Sequence, residues 1–495
     1  MPIKTTPWYF AVLAAFLLSG CFSPTGPEFD PPAAPGTLTV VSGDEELLVS
    51  WEPVDGAEEY AVYFAPLPGG PPETTDLIVA EPTAAVEGLE NGTAHQVWVR
   101  AQNAAGQSDF SPPGQGTPEG REYTITYDLN GGSGTPPAAR TKWGRAALTL
   151  PPQGSAGPPS GDAEFMGWNT QPDGGGWGYM GDENYTRKAS VTFYARWVER
   201  EKREIVTVVT AGTPLTVTGS GHYAFTVTVP NNPAYTNPGS TSTRNGVFVA
   251  GRTVRIDPFK MAKYETTGDL WITVQNWALE HGYNFENSKA QAPKADRKNH
   301  PVTGINWRDA LVWCNAYSEM TGRQPVYTFG GAVIRDSRDA AACDGAGMNK
   351  TNNGFRLPTE VEREAAARGG NPSLPDWMFM YAGSGDADAV AWHHGNSPFT
   401  VQPVGGKAAN CLGIYDLSGN VQEWCWDWMN YAADVPPATP ADGAAYSAAP
   451  PRANQKAFNG GGVGSNLTYS CVTYRWGYEP AYVSGYVGFR VVCLP

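Results

Sequence analysis

Residues 413–424 read GIYDLSGNVQEW, and this stretch does more than any other in the 495-residue chain to decide the fold. Four further motifs accompany it, separated by loops that are rich in glycine and proline. These motifs are FKMAKYETT at 259–267, PVTGINWRDA at 301–310 followed by Cys314 and Asn315, FRLPTE at 355–360 followed by AAARGG at 365–370, and GFR at 488–490.

The sequence around these motifs mixes helical and strand patterns. From Trp307 to Met320 the apolar side chains recur at helical spacing, which predicts an amphipathic helix. Pro358 precedes a second, shorter helical stretch at Thr359–Arg368. The intervening segments carry short strand patterns, so residues 201–495 are predicted to form an α+β domain.

The five motifs together resemble the formylglycine-generating-enzyme, or sulfatase-modifying factor, family. The resemblance implies a C-type-lectin-type fold for residues 201–495. The oxidase chemistry of that family needs two closely spaced cysteines, which bind copper, before the final GFR. Here that segment holds only Cys471, and Cys493 lies beyond the GFR, so the chain lacks the thiolate pair of a soft metal site. We therefore expect no catalytic residue and no enzymatic activity. The alternative is an oxidase or maturation enzyme in which folding brings a second cysteine to Cys471.

The GNVQEW end of the first motif often helps to bind calcium in this family. Carried over by position, Asn420 and Glu423 become the calcium ligands, and oxygen donors suit that ion. The alternative, which we favour, is structural: Asn420 caps a turn and Glu423 pairs with an arginine. The fold is expected to require no cofactor, with calcium as an optional ligand.

The segment between Asn459 and Arg490 has an unusual composition. Residues 463–487 hold five tyrosines among 25 residues, against 23 among the 495 of the whole chain. Serine and glycine accompany them, and rigid aromatic rings beside small residues are typical of binding loops. Pro480 and the scattered Gly, Thr and Val favour loop and strand over helix. The alternative is that these aromatic side chains pack a core.

The same segment, from the GGG at 460–462 to VGFRVV at 487–492, resembles the variable region of proteins that diversity-generating retroelements diversify. The whole chain resembles the treponemal variable lipoproteins of that class. Mutation there acts chiefly on Asn codons, which can become Tyr, Ser, Gly or Ala but not Trp or Glu, so Trp476 and Glu479 are fixed or come from other codons. The resemblance implies a variable region at 459–490 with these ligand-binding residues: Ser465, Tyr469, Ser470, Tyr474, Trp476, Gly477, Tyr478, Ala481, Tyr482, Ser484 and Tyr486.

Two small all-β modules precede the α+β domain in this multidomain chain. Residues 37–118 show short strand patterns with regular turns, which predicts a β-sandwich. Trp51 and the ending AQNAAGQS at 101–108 resemble a fibronectin type III domain. Residues 119–200, with YTITYDLNGG at 123–132, resemble an internalin-type B repeat, which implies a β-grasp-like fold. Both modules are interpreted as a stalk.

The N-terminus predicts export. An apolar stretch at 8–18 follows Lys4, is too short to span a bilayer and fits a signal peptide over residues 1–20. The LSGC at 18–21 resembles the lipobox of bacterial lipoproteins, which implies that Cys21 is acylated and begins a Pro-rich tether at 21–36. The alternative is ordinary secretion with an unmodified Cys21. The six other cysteines permit disulfides outside the cytoplasm, but their spacing selects no pairing.

These features predict a protein of the bacterial cell envelope, held by a lipid anchor at the outer membrane or cell surface. It is expected to act as a receptor or adhesin for a protein or glycan ligand on a host or neighbouring cell. The net charge of −15, without a long basic run, argues against a nucleic-acid partner. The oxidase alternative and a purely structural envelope protein remain open.

Overall fold

The computed structural model describes residues 30–495 except for 76, 160, 229–240, 245, 288–297 and 430–453. The predicted signal peptide, Cys21 and most of the tether therefore lie outside the described residues. The chain divides into two units, 1–122 and 123–495, each of which is considered by itself. None of the helices in the described ranges is long and apolar enough to cross a membrane.

The first unit is an all-β sandwich. Side chains alternate between buried and exposed along β2 and β5, the period that a strand with one core face requires. One sheet has the order β1-β2-β5, and in the other β3 lies between β4 and β6, with β7 and β8 both pairing with β6. Trp51 and Tyr60 meet edge to face in the core, with ring centroids 5.2 Å apart. The strands are Thr39–Gly43 (β1), Glu46–Ser50 (β2), Glu59–Pro66 (β3), Ile78–Val79 (β4), Thr83–Glu87 (β5), His95–Asn103 (β6), Gly106–Gln107 (β7) and Gly114–Gly116 (β8).

The second unit begins with the predicted repeat, which is built on a mixed sheet of order β10-β9-β15-β12-β13. β9 and β15 run parallel in the middle of this sheet, and a separate pair, β11 and β14, lies outside it. Tyr127, Trp168 and Phe193 form its aromatic core. The strands are Glu122–Asp128 (β9), Arg140–Trp143 (β10), Leu148–Thr149 (β11), Ala163–Asn169 (β12), Gly178–Tyr179 (β13), Asn184–Tyr185 (β14) and Val191–Glu199 (β15).

The C-terminal domain combines five helices in the described ranges with many short strands. The helices are Gly268–Glu280 (α1), Trp307–Met320 (α2), Ala340–Asp344 (α3), Glu360–Ala367 (α4) and Ala387–Val390 (α5). The strands are Ile205–Val209 (β16), Leu215–Thr218 (β17), Phe225–Thr228 (β18), Thr241–Arg244 (β19), Thr253–Ile256 (β20), Phe259–Ala262 (β21), Tyr327–Phe329 (β22), Ala332–Val333 (β23), Gly347–Met348 (β24), Gln422–Trp428 (β25), Lys456–Asn459 (β26), Arg475–Tyr478 (β27), Val487–Gly488 (β28) and Val492–Cys493 (β29). Short 3₁₀ turns lie at Arg200–Arg203, Gly221–Tyr223, Pro375–Met378 and Leu467–Tyr469.

Both helices that the sequence predicts are present, and each begins with a capping box. Asn306 caps α2 together with Asp309, and Thr359 caps α4 together with Glu362, so side chains satisfy backbone donors at both ends of each box. α2 is buried on nearly every side, because α1, α3 and β22 all pack against it. The Trp271 ring of α1 stacks parallel to a Trp of α2 at a centroid distance of 5.7 Å.

The repeat does not behave as a free stalk, because it packs against α1. Arg196 of β15 donates to Asp269 at 2.7 Å, and both side chains are largely buried. At Gly178 of β13 an added Cβ would lie 2.9 Å from the backbone nitrogen of Trp277, so the two backbones approach as closely as glycine permits. The module is therefore not independent of the C-terminal domain: it covers α1 and belongs to the same compact unit, while its role as part of a stalk stays a prediction.

Candidate functional site

A buried ion-pair network joins the first motif to the last one. Glu423 accepts hydrogen bonds from Arg363 at 2.9 Å and from Arg490 at 2.7 to 3.0 Å, and all three side chains are fully buried. Burial alone raises the pKa of Glu423, but the two facing guanidinium groups outweigh it, so the net pKa lies below the usual value. Arg490 also donates to the backbone oxygens of Ala262 and Tyr415, which fixes three chain segments around one carboxylate.

Two further buried carboxylates, those of Glu265 and Asp416, lie beside this network. Glu265 accepts from the amide of Asn420 at 2.7 Å and from the backbone N–H of Val421 at 3.2 Å. Asp416 accepts from the backbone of Gly405 at 2.7 Å, while its Oδ1 has no partner among the described residues. Burial raises the pKa of Asp416 to about 6, partly offset by that hydrogen bond. The pKa of Glu265 is also raised, by burial and by the neighbouring carboxylates.

These contacts bear on the two predicted calcium ligands. The oxygens of Glu423 already accept from two arginines, and the Asn420 side chain bonds Glu265 and the backbone of Gln402. Calcium takes six to eight oxygen ligands, and here the donors of the protein itself occupy those oxygens. The geometry favours the structural alternative, while calcium binding stays a prediction. Asn420 also has a left-handed backbone, with φ of 55°, as a turn position requires.

The predicted variable segment contributes strands to a four-stranded sheet of order β27-β26-β25-β28. β27 is an edge strand. Its first residue, Arg475, forms a bidentate ion pair with Glu360 of α4: Nε donates to Oε1 at 2.7 Å and Nη2 to Oε2 at 2.5 Å. Glu360 is fully buried and Arg475 nearly so. The strand is therefore fixed in position while its outer edge remains unpaired by another strand of the described chain.

Three aromatic rings lie at this edge, and we call them the aromatic face: Trp476, Tyr478 and Tyr482. Trp476 and Tyr478 are 39% and 37% exposed, which is high for such large side chains in a folded domain. Tyr482 stacks on Tyr478 with ring centroids 3.9 Å apart and planes inclined by 17°, so the two rings hold each other in place. Phe458 of β26 supports Tyr478 from the sheet at 5.6 Å. Ala481, another predicted contact, is exposed nearby in the chain.

A second exposed cluster forms around Tyr486. Its ring lies 5.9 Å from that of Phe399, which is 58% exposed, and the His394 ring meets Phe399 at 4.8 Å. Ser465 is half-buried here and its backbone oxygen accepts from His394. Phe399 has a φ of 54°, a left-handed conformation that is costly for a bulky residue. Sequence reasoning missed Phe399, since an isolated Phe outside the Tyr-rich segment carries no pattern that marks it.

Three of the eleven predicted contact residues lie inside the domain. Tyr474 is 4% exposed and packs edge to face against the half-buried Tyr469 at 5.0 Å. Ser470 is fully buried. Gly477 faces the opposite side of the sheet from the aromatic face, and an added Cβ there would lie 2.7 Å from Met429. For Tyr474, Ser470 and Gly477 the prediction of a surface contact is wrong, because each points into packed structure. Ser484, another predicted contact, is half-buried.

A lysine that the sequence did not single out lies within the same sheet. Lys456 is 1% exposed, and its Nζ lies 4.0 Å from the ring centre of Trp307, 4.7 Å from that of Trp426 and 3.8 Å from that of Trp428. Its amine also donates to the backbone oxygen of Trp426 at 3.1 Å. Burial lowers the pKa of Lys456 to about 7, against the attraction of nearby carboxylates such as Asp427. The three indole rings thus replace water around this amine through cation–π contacts.

The thiols bear on the oxidase alternative. Cys471 is fully buried, with its Sγ 3.4 Å from the Thr473 hydroxyl and 3.5 Å from the Thr468 backbone oxygen. The described part of the chain, which includes all six cysteines after Cys21, contains no disulfide. The Cys471 side chain also belongs to a buried apolar cluster with Tyr381, Val390 and Tyr474.

Comparison with known proteins agrees with two of the predicted domains. The model of the sulfatase-modifying factor enzyme 1-like domain matches residues 215–494, and that of the fibronectin type III domain matches residues 33–117. Over 201 residues the chain is 34% identical to chaperone protein LppX of Paenibacillus barcinonensis, covering 36% of this chain and 66% of that protein. Over 158 residues it is 30% identical to the formylglycine-generating enzyme of Thermomonospora curvata, covering 30% of this chain and 40% of the enzyme. The chain therefore spans less than two thirds of the length of these two curated relatives.

Among solved structures, Treponema denticola variable protein 1 aligns at 26% identity with a TM-score of 0.42, over 55% of this chain and 95% of that protein. The predicted formylglycine-generating-enzyme resemblance and the N-terminal fibronectin domain are confirmed by the two family models. Because the domain match covers more than half of the residues, the chain belongs to the sulfatase-modifying factor enzyme 1-like family.

Proposed function

We propose that this protein is a ligand-binding receptor or adhesin of the bacterial envelope that contacts its ligand through the aromatic face. The proposal rests on the exposure of Trp476 and Tyr478 on the edge strand β27, whose first residue, Arg475, forms a buried ion pair with Glu360. Large aromatic side chains in water are the residue types that dominate binding energy once a partner covers them. A protein or a glycan ligand would fit such a surface.

The arrangement of the rings supports binding more than core packing. Tyr478 and Tyr482 are already stacked, so little side-chain entropy remains to be lost when a ligand covers them. The sheet beneath is held by Arg475, Arg490 and Glu423, which are buried and paired. Preorganised aromatic contacts of this kind favour slow dissociation.

Diversification of this surface is part of the proposal. The outward positions Ser465, Trp476, Tyr478, Ala481, Tyr482, Ser484 and Tyr486 fall within the region 459–490 that resembles a retroelement target. Most of them carry residues that an altered Asn codon can encode. The test is the neighbouring DNA: a near-copy of the codons for 459–490 with Asn codons at the Tyr positions, beside a reverse transcriptase gene, is expected. Its absence from the genome would contradict diversification while leaving binding open.

Lipid anchorage at Cys21 is likewise proposed, on the lipobox at 18–21. A single mature protein would then carry its binding domain at the membrane, where several acyl chains together give stable attachment. Mass spectrometry of the N-terminal peptide is expected to show an acylated Cys21. An unmodified mature N-terminus would establish ordinary secretion instead.

The binding experiment uses the full chain on arrays of envelope proteins, host surface proteins and glycans. The double variant Trp476→Ala/Tyr478→Ala is compared with Trp143→Ala, which removes a 59% exposed tryptophan on the repeat. We expect every signal above background to fall at least tenfold in the double variant and to persist in the control. Equal signals for the two variants would reject the aromatic face as the contact surface.

A further inference from the structure

One sheet of the fibronectin type III domain exposes apolar side chains on the side away from its core, where such sheets usually carry polar ones. In the sheet β1-β2-β5, Val41, Leu48 and Ala85 lie directly opposite one another and form a row across all three strands. All three are exposed, Val41 by 55% and Leu48 by 47%. Their neighbours on β2, Leu47 and Val49, are buried, so the alternation along the strand points this row outward.

A second row, with two carboxylates, lies beside the apolar row on the same side of the sheet. Glu46 and Glu87 are direct partners across β2 and β5, and like charges at such positions repel each other. Neither carboxylate forms an ion pair with any residue in the described ranges. Glu46 lies over Gly43 of β1, where an added Cβ would be 2.6 Å from the Glu46 Cγ. A cation placed above this pair would relieve its repulsion. We call the two rows together the acidic–apolar face.

The charge of the domain restricts what can cover this face. Residues 37–118 hold 13 Asp and Glu, one Arg and no Lys, so most of the net charge of −15 lies in this domain. A second copy of the chain would bring two acidic rows together, and an anionic lipid surface or a nucleic acid would be repelled as well. A partner with both basic and apolar side chains complements the two rows.

The spacing of the rows fits an α-helix that lies across the strands. Adjacent strands are about 4.8 Å apart, so the apolar row from Val41 to Ala85 spans about 10 Å. On a helix that rises about 1.5 Å per residue, apolar side chains at positions i, i+4 and i+7 span nearly the same length. The acidic row lies two residues further along each strand, about 7 Å away. Basic side chains on the flank of such a helix would therefore lie above Glu46 and Glu87.

We propose that the acidic–apolar face is the docking site of a cationic amphipathic helix, a polypeptide segment with apolar side chains on one face and Lys or Arg beside them. The apolar side chains would cover Val41, Leu48 and Ala85, and the basic side chains would pair with the two carboxylates. The face lies on a different domain from the aromatic face, and neither proposal depends on the other.

The probe is a fluorescently labelled synthetic helix of about 14 residues, made of leucine and lysine with all leucines on one face. It is titrated at trace concentration against the full chain by fluorescence anisotropy. Two peptides are its controls: a scrambled sequence of the same composition, which loses the apolar face, and a version with glutamate in place of lysine. We expect saturable binding of the Leu/Lys helix at about 50 mM salt, severalfold weaker binding at about 300 mM salt, and at least about tenfold weaker binding of both control peptides.

Two variants test the apolar row. Val41→Thr/Leu48→Thr removes the row while keeping β-branched side chains that favour strands. Its control is Ile78→Thr, which changes a 41% exposed residue on β4 of the other sheet. We expect the affinity for the Leu/Lys helix to fall at least about tenfold in the double variant and less than about twofold in the control.

Two further variants test the acidic row. Glu46→Gln/Glu87→Gln removes it, and Glu58→Gln/Glu73→Gln removes the same number of carboxylates from exposed positions outside this sheet. At about 50 mM salt we expect the first variant to lose at least about fivefold more affinity for the Leu/Lys helix than the second. Its thermal midpoint should be no lower than that of the unchanged protein, because a repulsive pair is removed.

Several outcomes would overturn the proposal. One is the absence of saturable binding of the Leu/Lys helix, and another is equally tight binding of either control peptide. Equal affinities for the face variants and their controls would also reject it, since the helix would then bind elsewhere on the chain. Sedimentation of the full chain without peptide tests the remaining occupant: dimerisation that Val41→Thr/Leu48→Thr abolishes would assign the face to a second copy instead.

Discussion

Replacing Glu423 by Gln would separate the structural role of this residue from a calcium role. The substitution keeps the shape of the side chain and removes its charge. In the structure four hydrogen bonds from Arg363 and Arg490 converge on this carboxylate, at 2.7 to 3.0 Å, and none of the three side chains is exposed. The variant therefore leaves two guanidinium groups buried without their counter-ion.

The expected loss follows from that burial. Removing one partner of a buried ion pair typically costs about 3–5 kcal/mol, because the remaining charge is left uncompensated. The glutamine side chain of the variant would keep one carbonyl oxygen as an acceptor, so we expect the lower end of that range, about 3 kcal/mol of unfolding free energy. That is a large share of the roughly 5–15 kcal/mol that a folded domain possesses.

The pH dependence has a definite sign. The folded pKa of Glu423 is lowered, so its contribution is fully present above the unfolded pKa of about 4.3. It is lost as the pH falls through the lower folded pKa. The difference between the original protein and the Glu423→Gln variant should therefore be constant near neutrality and shrink in acid below about pH 4.

The assay is urea unfolding followed by tryptophan fluorescence, with EDTA and separately with excess calcium. The control is Glu204→Gln, which removes an exposed pair with Lys263 and should cost less than about 1 kcal/mol. The structural interpretation predicts the same large loss in both solutions. A loss that appears only with calcium, or one as small as that of the control, would refute it.

Three further predictions concern the same domain. Tyr474→Ala should lower the unfolding free energy by about 3–5 kcal/mol because Tyr474 is buried. Tyr478→Ala should change it by no more than about 1–2 kcal/mol and should weaken ligand binding instead. Urea titrations and array binding measure the two effects, and equal destabilisation by both variants would contradict the placement of Tyr474 inside the domain and Tyr478 on its surface. Cys471→Ser should leave copper content unchanged in the reduced protein, measured by elemental analysis; stoichiometric copper that this change abolishes would favour the oxidase alternative. Lys456 has a folded pKa of about 7, below its unfolded value, so the unfolded state binds more protons between about pH 7 and 10 and the unfolding free energy should rise with pH there. In the Lys456→Met variant this rise should disappear from unfolding free energies measured across the same pH range. A rise that persists in the variant would assign it to another titratable group.

Local signals made the helices predictable. The sequence from Asn306 to Met320 contains both a cap and a continuous helical repeat, and α2 begins and ends where that pattern does. Pro358 and Thr359 mark the start of α4 for the same reason. Such features depend on residues within a few positions of each other, which is the range over which a single sequence is informative.

The packing of the repeat on α1 depends on longer distances in the chain. It rests on Arg196 meeting Asp269 and on Arg187 meeting Glu280, pairs that lie 73 and 93 positions apart. Nothing near Arg196 distinguishes its charge from that of a solvated side chain. A surface module and a packed module can therefore have the same local pattern, and only the fold separates them.

The tyrosines of the segment 463–487 also show that local sequence does not reveal which side chains are buried. Tyr474 and Tyr478 are four positions apart, yet one is buried and the other exposed. Tyr474 precedes β27, in a turn that directs its ring inward, while Tyr478 ends the strand with its side chain on the outer face. Because strand side chains alternate, the outcome depends on where the strand begins, which the composition of the segment does not encode.

The segment from Arg475 to Arg490 contains both buried residues that fix its position and exposed residues that can contact a ligand. Arg475 pairs with Glu360 and Arg490 pairs with Glu423, so an ion pair fixes the chain on each side of the aromatic face. Between these two anchors, Trp476, Ala481 and the neighbouring outward residues take part in neither pair. Substitution at the outward positions therefore removes surface contacts while the buried pairs stay intact. Substitution at either arginine would instead leave Glu360 or Glu423 with a counter-ion missing in a buried position, which is costly. A chain that changes its ligand by mutation would therefore confine the changes to the positions between them.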